Sequence, residues 1–357
     1  MKIQAKQLLE EVTFLRKVVK RDSTLPILDT ICFDGKGMHG TNLETEVSFL
    51  CQHDIEGCVD AVALHRLLKS ISGMGMIEVV SVNANDRLVV RWADGEASLK
   101  IHYKPEEFPR FKSEDEEFKP YAMNVGRRAI ETALRFTGKD ELRPVMSGVF
   151  IGHHIVATDA HRLYMTDDFH QLVTPVEDPK SNTGFIIPKS AAVCLSGAGV
   201  FDMDVTENLI ARAFISDTCR VTWRCIDGRY PSYLAIIPTD HPLIVEVDTK
   251  EFKAAVEVAL SMAHHYTHQG SFHFKVGHGV FISSEDDEKD MKSYLSMKME
   301  TVHSGNTASM VVGFNCVLLK HLLHSVKEKT LTISIKAPNT AVLFNEDFLL
   351  MPVMLND

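Results

Sequence analysis

The sequence has little to offer a membrane or a disulfide framework. No apolar run approaches the roughly 18 residues of a membrane span, so no membrane partner is expected. The amino end, MKIQAKQLLEE, is charged from its second residue and lacks the apolar segment of a secretory signal. Seven cysteines, an odd number without CxxC spacing, fit reduced thiols and a cytoplasmic location. Absent too are a G-x-S-x-G elbow, a P-loop and an H-E-x-x-H zinc helix, the forms of catalysis most readily visible in a sequence. Base is in deficit: 38 Lys and Arg stand against 48 Asp and Glu, a formal net charge of −10. That argues against a protein coated in base for nucleic acid, but not against one whose positive charge is gathered on one surface.

What is present is a repeat. LPILDTICFDGKGMHGTNLETEV from Leu25 and RPVMSGVFIGHHIVATDAHRLYM from Arg143 share a Pro, an apolar strand, a Gly-containing turn, a second strand, and Thr followed by Asn or Asp. Pro26 and Pro144 are 118 apart; Thr41 and Thr158 are 117 apart. GSFHFKVGHGVFISSEDDE from Gly270 is a looser third copy, with Ser283 in the threonine's place. A second marker, Phe108-Pro109-Arg110-Phe111, recurs as Tyr230-Pro231-Ser232-Tyr233, 122 positions on, and Pro352 lies 121 further. One third of 357 is 119, so the chain reads as three consecutive modules.

Each module opens on an amphipathic helix. In the first, Leu8, Val12, Leu15 and Val19 share a face opposite Lys6, Glu10, Lys17 and Lys20. GRRAIETALRFTGK from Gly126 and DTKEFKAAVEVALSMA from Asp248 open the others, with Asp248 or Thr249 as N-cap. A second helix falls midway in each: DAVALHRLLKSIS, PKSAAVCLSGAG and FNCVLLKHLLHSVKEK. Alternating runs such as RLVVRW, TCRVTWRCI and LTISIKA read as antiparallel strands. The expected class is α+β: three tandem domains, each a twice-repeated unit of helix and antiparallel strands. Linkers are expected at Lys112–Pro120 and Ile237–Pro242, giving domains 1–118, 119–241 and 242–357.

The helix faces opposite the apolar stripes carry Arg16, Lys17, Lys20, Arg21, Arg66, Lys69, Arg128, Arg135, Lys139, Lys189, Lys250, Lys253, Lys320 and Lys327. Solvated helix faces are commonly charged. Recurrence on corresponding helices of an acidic chain suggests instead a surface that holds a phosphate backbone without reading sequence.

The threefold module, with TLPIL (24–28), TDAHRL (158–163), DGRYPSY (227–233) and LLMPVML (349–355), resembles the bacterial DNA polymerase III beta subunit, the sliding clamp family, over essentially the whole chain. The resemblance implies a head-to-tail homodimeric ring with helices inside and sheets outside, encircling double-stranded DNA. It implies as partners a replicative DNA polymerase, a clamp loader and other proteins with clamp-binding peptides, no cofactor, and no catalysis by the chain itself. Roughly 12 helices at about 9 Å spacing make a circle about 35 Å across at their axes. Subtracting about 10 Å of helix width leaves a hole near 25 Å, enough for a duplex and a layer of water.

The same resemblance assigns a peptide-binding cleft to Met146, Thr158, Ala160, His161, Arg162, Leu163, Pro231, Ile236, Pro338, Thr340, Leu349, Leu350, Met351, Pro352, Val353 and Met354. Met suits an adaptable peptide groove, and His161 and Arg162 offer polar contacts that fix direction. The chain departs from the family at Ala160, where Gly is usual, at Ala235, where a long basic residue is usual, and in the tail residues Asn356 and Asp357. For the ring seam, Leu99, Ile101 and Tyr103, alternating on one strand, and Leu260 on the third module's first helix are the candidates.

Two other readings compete: a three-module scaffold that binds proteins but not DNA, and a hydrolase centred on Asp159 and His161. The second lacks a nucleophile and an oxyanion site, and Asp159 suits a turn that bonds its own backbone. His264, His265 and His268 in HHYTH have a helical spacing that suggests a metal, but no Cys or carboxylate lies close in sequence, so no metal site is expected. SEDDEKD from Ser284 reads as a solvated hairpin tip, and Gly197-Ala198-Gly199 as a turn. Cys219 and Cys225 read as ordinary core or sheet residues.

Overall fold

The computed structural model describes residues 1–82, 86–111, 117–166, 171–173, 183–197 and 199–355. Across them one unit, strand–helix–three strands, occurs six times. The first is β1 (Lys2–Gln4), α1 (Ala5–Leu15), β2 (Thr30–Asp34), β3 (Gly37–Thr41) and β4 (Thr45–Leu50). The second is β5 (Glu56–Asp60), α2 (Ala61–Ile71), β6 (Met76–Val82), β7 (Arg87–Trp92) and β8 (Gly95–Tyr103). The third is β9 (Lys119–Gly126), α3 (Arg127–Leu134), β10 (Val149–Ile151), β11 (Ile155–Thr158) and β12 (Arg162–Thr166), trailed by β13 (Gln171–Leu172). The fourth is β14 (Phe185–Ile187), α4 (Lys189–Leu195), β15 (Val200–Val205), β16 (Ile210–Phe214) and β17 (Cys219–Arg224). The fifth is β18 (Leu243–Asp248), α5 (Thr249–Met262), β19 (Gln269–Lys275), β20 (Gly279–Asp286) and β21 (Met291–Met297), trailed by β22 (Glu300–His303). The sixth is β23 (Ser309–Asn315), α6 (Cys316–Leu323), β24 (Thr330–Ile335), β25 (Val342–Phe344) and β26 (Phe348–Leu350).

The helices form because their apolar residues fall at helical spacing and their ends are capped. Leu8, Val12 and Leu15 of α1 and Leu64, Leu68 and Ile71 of α2 are buried on facing stripes. Asp60 caps α2 by accepting the Ala63 N–H at 2.6 Å, and Asp248, the expected cap, accepts the Glu251 N–H at 2.8 Å at the start of α5. Asn315 accepts from both Val317 and Leu318 at the start of α6. Caps of this kind are each worth about 1 kcal/mol. The helix α6 stops at Leu323, sooner than its sequence pattern suggests. The helices pack as α1 on α2, α3 on α4 and α5 on α6. Among the described residues no helix is long and apolar enough to cross a membrane.

All strand pairs are antiparallel, and the sheets run across unit boundaries. One sheet has the order β1-β6-β7-β8-β5-β2-β3-β4-β17-β16-β15-β9-β13, a second β14-β10-β11-β12-β26-β25-β24-β18-β22, and a third β21-β20-β19-β23. The joints come from last strands: β4 pairs with β17, and β12 with β26. Only β8 and β21, of the six last strands, lack such a partner among the described residues. The outer side of β8 pairs with β5 only through Ile101 and Tyr103, and β21 ends its sheet.

The two sequence markers have distinct structural jobs. Pro26 and Pro144 each open a short 3-10 turn, Pro26–Asp29 and Pro144–Ser147. Arg110 of the second marker bonds Asp34 at 2.7 Å and Glu46 at 3.0 Å, tying the segment after β8 onto β2 and β4. Of the expected linkers, residues 112–116 lie outside the described residues, while Lys119 and Pro120 already belong to β9. Ile237–Pro242 has neither helix nor strand. Ala198 of the expected Gly-Ala-Gly turn and the tail residues Asn356 and Asp357 also lie outside the described residues. Cys219 and Cys225 are buried, as expected, and burial pushes both thiols up to about 12.

Candidate nucleic-acid interface and peptide cleft

The polar cluster at 158–162 is a turn, built twice. Thr158 Oγ1 donates to the Arg162 carbonyl at 2.7 Å and accepts from the Ala160 N–H. Asp159 Oδ1 accepts from the N–H groups of His161 and Arg162 at 3.0 and 2.8 Å. The first module repeats the pattern: Thr41 Oγ1 bonds the Thr45 carbonyl and the Leu43 N–H, and Asn42 Oδ1 accepts from Glu44 and Thr45. Both turns need a left-handed residue, Leu43 in one and Ala160 in the other, each at φ 73°. The second Asp159 oxygen takes Arg162 Nε at 3.0 Å and a terminal nitrogen at 2.8 Å. Arg162 is 7% exposed; it also donates to the Arg135 carbonyl and lies 5.1 Å over the Phe136 ring. Its charge is thus spent on holding the turn and is turned away from solvent.

That turn leads into the joint between β12 and β26, where His161, Arg162, Leu163, Leu349, Leu350 and Met351 of the expected cleft residues meet. Leu163 faces Leu349 and Arg162 faces Leu350 across the ladder, and the Met351 N–H donates to the His161 carbonyl at 2.9 Å. Leu163 and Leu349 enter a separate apolar cluster with Phe150, Val156, Tyr230 and Tyr233. Thr158 and Leu350 are buried beneath the surface. Ala160, His161, Ile236, Pro338, Met351 and Met354 are exposed, while Met146, Pro231, Thr340, Pro352 and Val353 are half-buried. Leu234, Ile237 and Leu343 pack on the same cluster and were not singled out from sequence. The Tyr-Pro-Ser-Tyr marker pointed at this region, since Tyr230 stacks on Phe150 at 4.8 Å and Tyr233 shares a 3.0 Å hydrogen bond with His154 Nδ1. Ala235, at the departure from the family pattern, is exposed beside Ile236.

The expected basic surface is only partly at liberty. Lys and Arg outnumber Asp and Glu on the six described helices, the reverse of the chain as a whole. Arg66, Lys69, Arg128, Lys139, Lys189, Lys250 and Lys327 are exposed, as are Lys20 and Arg21 beyond α1, where Arg21 lies 3.7 Å from Asp22. Lys17, though exposed, reaches the Val193 carbonyl on α4 at 3.4 Å and sits 4.4 Å over Phe14. Lys253 donates to the Val326 carbonyl at 2.8 Å, Lys320 pairs with Glu257 at 3.2 Å, and Arg135 lies 3.6 Å from Glu131. Two histidines report the local field. His65 is held below its ordinary pKa by burial and by Arg16 and Lys69, and His321 by burial and by Arg162, His324 and Lys320. At His65 the base that ends α1 and one on α2 therefore act on the same point.

The seam candidates are placed as follows. Leu99, Ile101 and Tyr103 lie on one face of β8, half-buried. Leu99, Ile101 and Leu260 pack on the main core, and Tyr103 against the small cluster of Cys32, Cys58 and Phe108.

Comparison with known proteins adds a shared fold and a weaker likeness in sequence. The Pseudomonas aeruginosa DNA polymerase sliding clamp superposes with a TM-score of 0.83 at 20% identity, covering 99% of both chains. The fold is that of the sliding clamps, and in sequence the chain is similar to beta sliding clamps. The DNA polymerase III beta subunit of Thermotoga maritima superposes with a TM-score of 0.82 at 16% identity over 99% of both chains. In sequence, the Caulobacter vibrioides beta sliding clamp is 24% identical over 280 residues, 71% of this chain and 73% of the relative. The Streptococcus pneumoniae clamp is 23% identical over an alignment spanning 98% of this chain and 97% of the relative. No family model matches the chain.

Proposed function

We propose that the chain is a DNA sliding clamp: a non-catalytic ring that encircles duplex DNA and tethers a polymerase through the cleft at the β12–β26 joint. One observation carries the ring. Six copies of one unit supply six last strands, and four of them already join in two pairs by the same antiparallel contact. The remaining two, β8 and β21, complete the pattern when β8 of one chain meets β21 of a second, and two such contacts close a dimer. The domains are then 1–118, 119–241 and 242–357, with Leu99, Ile101, Tyr103 and Leu260 flanking each seam. Strand addition of this kind uses the free backbone groups of a sheet edge.

Within the ring the exposed Lys and Arg of the helices face the phosphates. A topological link needs no tight contact, so weak, sequence-independent attraction permits sliding, while the acidic remainder of the surface repels DNA outside. In the cleft, the exposed Met351, Met354 and Ile236 receive the apolar residues of a short peptide from a polymerase, a clamp loader or another replication protein. A Pseudomonas aeruginosa sliding clamp has been solved bound to griselimycin, so binding of that compound by this chain, and its loss on changing Met351 or Met354, tests the cleft. The ring is tested by light scattering at micromolar concentration, where a mass of twice 40.0 kDa is expected and a monomer counts against it.

A further inference from the structure

Beside β21, four side chains converge that the sequence keeps apart. His264, His265, Asp286 and Glu288 bring one ligand atom each to within 4.8 Å of one another. The residues 264–268 form a turn after α5, so His264 and His268 are not a helical pair. The carboxylates arrive from the β20–β21 hairpin instead. Two bonds fix that approach: the His264 N–H donates to the Glu285 carbonyl at 3.1 Å, and Ser284 Oγ to the Ala259 carbonyl of α5 at 2.7 Å. The His265 ring is held against Tyr266, their centroids 3.9 Å apart.

Asp286 is the informative member. The solvated hairpin tip expected from SEDDEKD describes exposed Asp287 and Glu288, but Asp286 is 0% exposed, and its Oδ2 has no hydrogen-bond partner. A buried carboxylate oxygen without a hydrogen bond is costly unless a cation is beside it. The Lys289 ammonium stands 4.0 Å off, too far for a hydrogen bond, and the His265 Nδ1 is 3.8 Å away.

We infer that this cluster is a binding site for a first-row divalent cation of the zinc type. His264 Nε2 lies 3.6 Å from Glu288 Oε1, and His265 Nδ1 lies 3.8 Å from Asp286 Oδ2 and 4.0 Å from Glu288 Oε2. Ligands at about 2.1 Å from a tetrahedral ion stand about 3.4 Å apart; the three close pairs need only a few tenths of an ångström of closure, and pairs standing as far apart as 4.8 Å need side-chain rotation of up to about 1.4 Å. Two imidazoles select this class over calcium or magnesium, which prefer all-oxygen shells. Binding through His264 Nε2 puts the proton on Nδ1, so the weak 3.4 Å bond from the Tyr266 N–H is given up. His264 and Glu288 also line a groove of about 760 Å³, which gives an ion a route from solvent. None of this depends on the clamp reading.

The test is calorimetric titration of the chelator-stripped full chain with Zn²⁺, followed by Co²⁺ as a spectroscopic probe. One ion per chain is expected, with an intense visible Co²⁺ band of four-coordinate type. His265→Ala weakens binding at least 100-fold and Asp286→Asn at least tenfold, while His268→Ala and His278→Ala leave it unchanged. His265 is more than a third exposed, so its removal leaves the fold intact, and unchanged circular dichroism checks each variant. Absence of binding at micromolar Zn²⁺, or equal affinity in wild type and His265→Ala, overturns the site.

Discussion

Removing the Asp159 carboxylate separates the structural reading of the 158–162 turn from the catalytic one. Asp159→Ala deletes two acceptances from backbone N–H groups and the paired contact with Arg162, whose side chain is 8% exposed against 17% for Asp159. Breaking a buried ion pair from one side costs about 3–5 kcal/mol. Partial exposure of Asp159, and the Arg135 carbonyl and Phe136 ring that still hold Arg162, reduce that to about 2–4 kcal/mol. Asp159→Asn keeps the turn acceptor, as Asn42 does in the first module, and loses the charge-assisted bonds, about 1.5–3 kcal/mol. Amide hydrogen exchange at His161 and Arg162 reads this locally, since their N–H groups are the ones released. At about 1.4 kcal/mol per tenfold, exchange accelerates roughly 30- to 1000-fold in the Ala variant and less in the Asn variant. Unchanged protection in Asp159→Ala, or loss of a substrate turnover with protection intact, refutes the argument.

Three further outcomes follow from the same structure. Ala160→Gly relieves a left-handed residue at φ 73° and raises stability by about 0.5–1 kcal/mol, measured as a higher urea midpoint; a lower midpoint contradicts it. Replacing Arg66 and Lys69 together by Ala lowers the salt dependence of DNA binding by up to about two contacts' worth of slope, with no change in sequence preference; an unchanged slope removes α2 from the interface. His39, His65 and His321 are all held below the ordinary histidine range, the first chiefly by burial opposed by Asp34. The unfolded chain therefore takes up protons first as pH falls below about 6.5, so the melting temperature drops between pH 7.5 and 5.5. Because both are held low, His65 and His321 gain charge on the helix surface only as pH falls further, so DNA affinity rises at the acid end; an opposite trend counts against their placement.

The repeat was legible because it is written in residues with backbone consequences. Pro26 and Pro144 open the same 3-10 turn, and Thr41 with Asn42 and Thr158 with Asp159 close the same bonds. The helices were legible through buried stripes such as Leu8, Val12 and Leu15. The direction of a long side chain was not. Arg162 sits among solvent-facing neighbours in sequence, yet its guanidinium turns inward to Asp159, and Lys17 and Lys253 are drawn onto carbonyls of other elements. The histidine–carboxylate cluster was illegible for the same reason. Some twenty residues separate its halves, and only the packing of β20 on α5 brings Asp286 to His265. The free edge of β21 and the only partly paired outer side of β8 likewise emerge only when every other last strand has been paired.

The central claim is topological, and retention on DNA tests it most directly. The protein is loaded by a clamp loader onto nicked circular DNA, and its dissociation is followed before and after the circle is cut once. The account predicts a complex that survives high salt on the circle and departs within seconds of linearisation, with both behaviours lost when the β8–β21 seam is blocked. Equal lifetimes on circular and linear DNA would contradict it.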